Sequence, residues 1–551
     1  MGGIGNDVLS GGEGDDSING GAGTDTLRET ADTNFTLTNN QLESAATGTD
    51  TFENIERVAL TGGDSANTIN ASAYSGRVTL SAKAGNDTLI GGIGNDVLSG
   101  GEGDDSINGG AGTDTLRETA DTNFTLTNNQ LESAATGTDT FENIERVALT
   151  GGDSANTINA SAYSGRVTLS AKAGNDTLIG GIGNDVLSGG EGDDSINGGA
   201  GTDTLRETAD TNFTLTNNQL ESAATGTDTF ENIERVALTG GDSANTIDAS
   251  AYSGSAFLYG KAGNDTLIGG SGNDNLYGGE GDDSINGGAG TDTLRETGDV
   301  DFNLTNTTLT GNGTDSFSNI ERVALTGGDS ANTIDASAYS GSAFLYGKAG
   351  NDTLIGGSGN DNLYGGEGDD TIYGGEGTDT LRETADTNFT FINSNQLQSE
   401  ATGNDSFKDI ERVALTGGDS NNTIDASEFS GSAFLYGKAG NDTLTGGSGN
   451  DFIKAGEDDD LISGGAGNDR LYGEGGNDIF VLSSDMGKDT IYDFEDGVDK
   501  LDLSDNLTFD MLTITASGSN TNILQGNQTL ATLINVDSAL IDVNDFNTLN
   551  G

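Results

Sequence analysis

Aspartate is the residue whose spacing could do chemistry. From Gly85 onward it recurs at Asp87, Asp96, Asp105 and Asp114, and a large aliphatic follows two residues later at Leu89, Leu98, Ile107 and Leu116. Written from its glycine pair, each nine-residue unit reads G-G-x-G-x-D-x-U-x, with U the aliphatic. A carboxylate is an acceptor-only oxygen ligand when ionised. Carboxylates together with the backbone carbonyls of tight turns make an all-oxygen shell suited to Ca²⁺. Mg²⁺ fits less well, because it demands a small octahedron and gives up water reluctantly.

The elements that must position these oxygens follow from the same unit. Glycine permits the sharp turn, and x-U-x is a very short strand with U inward and its neighbours outward. Two units make one coil of 18 residues with a turn on each edge, so Asp87 lies over Asp105 and Asp96 over Asp114. A lone Gly-Asp pair would be only a turn former. A long series in register, each with its aliphatic, is a stacked solenoid.

Composition agrees. The 551 residues hold 89 acidic and 22 basic side chains, a formal charge of −67, with 90 Gly, no Pro, Cys, Trp or His, and 32% hydrophobic residues. Thiol catalysis, disulfides, imidazole bases and the usual zinc and copper sites are excluded. A nucleic-acid backbone would be repelled. So acidic a chain, poor in apolar groups, sits at the border of disorder and needs a cation before it can compact. No apolar run is long enough to span a bilayer. Met1 to Asp7 carries no signal peptide. The chain starts inside a repeat, as a truncated reading frame would.

An outer repeat of 89 residues encloses the inner one: residues 2–90 return unchanged as 91–179, and a third copy drifts near Asp248. The expected divisions are copies at 1–90, 91–179, 180–268, 269–355 and 356–445, a terminal roll at 446–482, and a cap with an export signal at 483–551.

The chain resembles the RTX (repeats-in-toxin) family of proteins exported by Gram-negative bacteria, cyanobacteria included. The resemblance implies an all-β, right-handed parallel β-roll, or β-helix solenoid, with a C-terminal β cap. It implies calcium ligation by the sixth residue of each unit: Asp7, Asp16 and Asp25 in the first copy; Asp87, Asp96, Asp105 and Asp114 in the second; Asp176, Asp185, Asp194 and Asp203 in the third. The fourth gives Asp265, Asp274, Asp283 and Asp292, the fifth Asp352, Asp361, Asp370 and Asp379, and the terminal roll Asp442, Asp451, Asp460, Asp469 and Asp478. Paired 18 apart, these hold roughly 12 ions, about +24 against the acidic surface. Ala455 to Asp460 lacks two of the expected glycines, which puts regular turn geometry there in doubt. Ile479 to Leu503 resembles the segment that closes such rolls, and Asp545 to Leu549 resembles an uncleaved type I export signal.

Each copy also holds a stretch without the motif, such as 28–61. Phe35-Thr36-Leu37 and Ile55 to Leu60 alternate as strands do. The expected role is a spacer with a local strand pair, and a recognition surface is the sharper alternative. Leu60, Ile69 and Val78 are nine apart, so coiling resumes before the ion-binding units. Asn67 stands where Asp is expected, so that coil should lack a tight site. EF-hand helices are missing, and no nucleophile sits beside a base, so no enzyme is expected. The expected partners are calcium, the type I export machinery and cell-surface or matrix components. The expected setting is extracellular, with folding coupled to calcium. The folded chain would serve as a structural or adhesive spacer; the alternatives are an export module of a larger toxin or secreted enzyme, or a calcium-buffering surface.

Overall fold

In the computed structural model, residues 1–484, 486–504 and 507–548 are described. They are all-β: there is no α-helix among them, and two short 3-10 turns sit at Phe509–Met511 and Val543–Asp545. None of their helices is long and apolar enough to cross a membrane. The chain divides inside the fourth copy into two units, Met1–Leu276 with Gly288–Gly290, and Tyr277–Gly287 with Thr291–Gly551.

The second copy represents the first unit. Thr88–Ile90 and Ser106–Asn108 pair in parallel in one sheet, Leu89 opposite Ile107. Val97–Ser99 and Thr115–Thr119 pair in the other, Leu98 opposite Leu116. All four aliphatics are buried while their neighbours are not. This is the two-residue period of a strand shortened to three residues. Each buried aliphatic contributes about 1.5–3 kcal/mol, and stacking like on like makes every rung support the next. This parallel β-roll is the architecture the nonapeptides require.

The motif-free stretch is more than a strand pair. Phe124–Thr127, Gln130–Ser133 and Gly137–Glu142 form a three-stranded antiparallel meander. Its outer strands then join the parallel ladder, Phe141 against Ile107 and Phe124 against Ile158. The opposite sheet stays parallel throughout, Thr115–Thr119 to Arg146–Thr150 to Arg166–Ser170. Coiling does resume before the ion-binding units: Leu60, Ile69 and Val78 are buried. The rung lengthens there, since Leu60 faces Leu80 and Ile69 faces Leu89, twenty residues on. The longer turn holds Tyr74, whose hydroxyl donates to the Ile55 carbonyl at 2.9 Å and whose ring lies edge-on to Phe52.

The second unit repeats the pattern, as in Leu354 over Ile372 and Leu363 over Leu381. On its outward face aromatic side chains stack from rung to rung: Tyr346 on Tyr364 at 4.4 Å and Tyr472 on Tyr492 at 4.6 Å between ring centres. Such cross-strand pairs stabilise a sheet. At the end, Ile479–Leu482, Lys500–Leu503 and Phe546–Thr548 pair in parallel. The antiparallel strands Leu512–Ser517, Asn520–Gln525 and Gln528–Leu533 close the other sheet. Phe480, Leu501, Ile523 and Leu533 give this cap a fuller apolar core. An open strand edge would otherwise be exposed. Phe546, in the expected export segment, is buried in the cap, and Leu549 lies outside the described residues.

Candidate metal centre

Two rows of aspartate run along the roll, each opening the strands of one sheet. Asp87 and Asp105 directly precede Thr88–Ile90 and Ser106–Asn108; Asp96 and Asp114 directly precede Val97–Ser99 and Thr115–Thr119. In each row a backbone N–H donates to the carboxylate one rung on: Asp87 to Asp105 Oδ1 at 2.7 Å, and Asp96 to Asp114 Oδ1 at 2.7 Å. Carboxylates 18 residues apart therefore share one edge, as the spacing demands.

The other oxygen of each carboxylate tells more. Oδ2 of Asp87, Asp105 and Asp114 is buried and has no hydrogen-bond partner, and the same holds for Asp176, Asp194 and Asp203 in the third copy. A buried acceptor stripped of water and given no donor costs about 1–3 kcal/mol, and more when charged. The turns beside these atoms are backbone cradles: at Gly103, where φ is +133°, an added Cβ would collide with the Gly85 carbonyl oxygen. Two carboxylate oxygens and turn carbonyls would supply a donor set of oxygen alone, which fits calcium. No group of three His, Cys, Asp or Glu side chains among the described residues makes a cage by itself. The backbone and water must complete any shell.

Burial sets the electrostatics. It pushes Asp105 and Asp114 up to about 6 and Asp139 up to about 8, with neighbouring carboxylates adding to the push. Burial likewise raises Glu118 to about 7. Among the described residues the side-chain ion pairs are Lys408 with Asp409 and Lys454 with Glu474, both on the surface. The rows are thus loaded with negative charge that no ion pair offsets. A divalent cation shared by two rungs removes both costs.

Within each unit the expected partners meet. Asp7 reaches Asp25; Asp176 and Asp185 reach Asp194 and Asp203. Asp352 and Asp361 reach Asp370 and Asp379. Asp442 reaches Asp460, Asp451 reaches Asp469 and Asp460 reaches Asp478, each 18 residues on. Asp265 and Asp274 accept from the N–H groups of Asn245 and Ala256 in the first unit. Asp283 and Asp292 sit in the same rows of the second. Some first carboxylates are already satisfied: Oδ2 of Asp96, Asp185, Asp361 and Asp451 accepts from the glycine N–H four residues back. The row through Asp87 and Asp105 is therefore the more open to an ion. The turn at Ala455 to Asp460 keeps regular geometry despite its missing glycines. Asp458 takes a φ of +78°, a region in which Asp is tolerated. The Asn67 amide is held at both ends, accepting from Gly63 N–H and donating to Asp32.

The rows are longer than the nonapeptides. Asp16 donates not to another motif aspartate but to Asp50 Oδ1 at 2.9 Å, and Asp105 to Asp139 at 3.0 Å. Asp114 donates to Glu145 Oε2 at 2.8 Å, while Asp469 and Asp478 donate to Asp489 and Asp499. Glu118, buried in the strand Thr115–Thr119, accepts from Gly100 N–H at 2.7 Å. The signal was half present in Gly137-Thr138-Asp139-Thr140-Phe141, a unit lacking its glycine pair. In Asn143-Ile144-Glu145-Arg146-Val147, Asn143 takes the glycine's place with a φ of +55° and Glu145 the aspartate's.

The family described as RTX calcium-binding nonapeptide repeat (4 copies) matches residues 1–28, 81–116, 170–205, 259–294, 346–381, 429–462 and 455–485. The chain carries RTX repeats. RTX repeats bind calcium, and as a class they are calcium-binding rather than catalytic units. The seven matched segments coincide with the rolls, and the unmatched stretches hold the meanders and the cap. Among solved structures, the extracellular lipase LipA from Serratia marcescens is similar at 22% identity over 42% of this chain, with a TM-score of 0.16. The match spans 40% of that lipase chain, less than half its length. A comparison with curated proteins finds no match.

Proposed function

We propose that this RTX chain is a secreted protein whose rolls fold as they take up calcium outside the cell, and that the folded chain serves there as a structural or adhesive spacer. The observation that carries the reading is the series of buried carboxylate oxygens without a donor, as at Asp87, Asp105, Asp176 and Asp194. Each belongs to an aspartate whose partner lies one rung away. The motif aspartates would hold roughly 12 ions, completed by turn carbonyls and water. Calcium would supply charge neutralisation and a bond between rungs.

The chain's own residues do the rest. Where calcium is scarce, repulsion among carboxylates keeps the chain extended, a form suited to a type I export channel. Where it is plentiful, each filled pair fixes two turns and brings inward aliphatics such as Leu89 and Ile107 together. Extracellular calcium modules need affinities of only about 10⁻⁴–10⁻³ M. The spacer reading is supported by the tandem copies, which repeat one unit and lengthen the chain without altering the site.

Calorimetric titration of the full chain with calcium tests the coupling. The expected result is uptake of at least about a dozen ions, with a negative heat-capacity change as apolar surface is buried. Uptake of one or two ions, or none, without that change would contradict the proposal.

A further inference from the structure

We propose that each meander is closed onto its roll by a calcium ion of its own, held between a motif aspartate and an aspartate of the meander, with a buried glutamate beside them. In the second copy these are Asp105, Asp139 and Glu118. The inference rests on the calcium-roll reading and adds sites that the nonapeptides do not contain.

Asp139 stands in the strand Gly137–Glu142, which has no glycine pair and lies outside the matched segments. Its Oδ1 accepts the Asp105 N–H at 3.0 Å, whereas its Oδ2 is buried with no partner. Asp50, Asp228 and Asp405 repeat this in their own copies, each with an orphaned Oδ2. A single lost hydrogen bond could be an accident of packing. Four meanders that each bury the same bare carboxylate oxygen require a counterpart, because the cost is incurred every time.

In the first copy the groups meet at one glycine. At Gly11 an added Cβ would lie 2.9 Å from Asp50 Oδ2 and 3.2 Å from the Asp16 Cβ. The N–H of that same Gly11 donates to Glu29 Oε1 at 2.6 Å. In the second copy the nearest atoms to a Cβ at Gly100 belong to Asp105, and the Gly100 N–H donates to Glu118 Oε1 at 2.7 Å. In the first copy Gly11 thus sits against the Asp50 carboxylate and the Asp16 Cβ and is bonded through its N–H to Glu29, and neither ion-paired lysine of the described residues serves it. These side chains make no closed cage alone. Calcium takes six to eight oxygens and accepts carbonyls and water among them.

The consequence is positional. An ion between Asp87 and Asp105 joins rungs 18 residues apart, whereas one between Asp105 and Asp139 closes a 34-residue excursion. Asp105 then bridges the two ions, and the meander is set in place with the roll. The fourth copy provides an internal contrast. There the Asn312 amide donates to Glu296 Oε2 at 3.3 Å, giving that glutamate a neutral partner, so its site should be the weakest.

Native mass spectrometry of the full chain in saturating calcium counts the ions. Asp139→Asn should carry one ion fewer than the unsubstituted chain. The combined Asp50→Asn, Asp139→Asn, Asp228→Asn and Asp405→Asn chain should carry four fewer. Glu118→Gln keeps an acceptor for the Gly100 N–H but loses the charge, and should weaken one site about tenfold, a difference of about 1.4 kcal/mol. Asp121→Asn is the control: Asp121 lies in the same copy but is bonded to Ser154 and Asn156, and the count should not change. An unchanged count in Asp139→Asn, or an equal drop in Asp121→Asn, overturns the inference. Should the fourfold variant fail to fold, the single variant decides. A chain that binds no calcium at all would instead sink the calcium-roll reading itself.

Discussion

Stripped of calcium with EDTA at pH 7.5, the chain is expected to lose its β-sheet circular dichroism and to swell towards a radius of gyration of about 90 Å, the value for an unfolded chain of this length. The magnitude follows from linkage. A site filled at ten times its dissociation constant stabilises the fold by about 1.4 kcal/mol. Ten aspartate pairs, 18 residues apart, meet within the two units. Together they contribute about 14 kcal/mol, as much as the whole stability of an ordinary domain, about 5–15 kcal/mol. The aliphatics in each rung are few, and glycine costs more chain entropy on ordering than any other residue. Apolar burial goes largely to offset that entropy, so the ions supply the surplus on which net stability depends. Scattering and circular dichroism recorded on the same samples check this, and a compact, sheet-rich chain in EDTA would refute it.

The second large effect is on pH. Without metal, the chain is expected to be more compact at pH 4 than at pH 7.5. Burial raises Asp105 and Asp114 to about 6, Glu118 to about 7 and Asp139 to about 8, all above their unfolded values. An acid whose pKa is raised by folding holds its proton more tightly in the folded state. Its contribution to stability is complete below the unfolded pKa, near 4, and is lost as pH rises through about 6 to 8. Net repulsion also vanishes near the isoelectric point of 4.1, so added salt separates the two causes: salt screens exposed charges but not the titration of buried ones. With calcium present the sign reverses. Protons compete for the same oxygens, so the calcium concentration at half-folding should rise as pH falls below 8. A metal-free chain equally expanded at both pH values in 0.5 M salt would contradict the burial argument.

The sequence exposed the rolls well and the meanders poorly, for a physical reason. A nonapeptide coil is local, so the step from Asp87 to Asp96 to Asp105 dictates which side chains share an edge before any coordinates are known. The step from Asp105 to Asp139 depends instead on a hairpin whose length varies between copies. No fixed period announces it. Glu145 and Asn143 hid for another reason: each does the work of a motif residue with a different side chain, Asn143 by adopting the positive φ that glycine usually supplies. The same tolerance explains why the turn at Asp458 stays regular where its sequence suggested otherwise. Glu118 carries no motif at all; only its burial and its bond to Gly100 single it out. The outward aromatic stacks, such as Tyr472 on Tyr492, are equally invisible to a reading that follows inward residues.

If ions shared between rungs supply the cohesion, they lie along the aspartate rows. Anomalous scattering from crystals grown in calcium tests this most directly. Strong peaks are expected along the edge between Asp87 and Asp105, repeated between Asp176 and Asp194 and at the equivalent pairs. An intact roll whose aspartate rows scatter no more than water would contradict it.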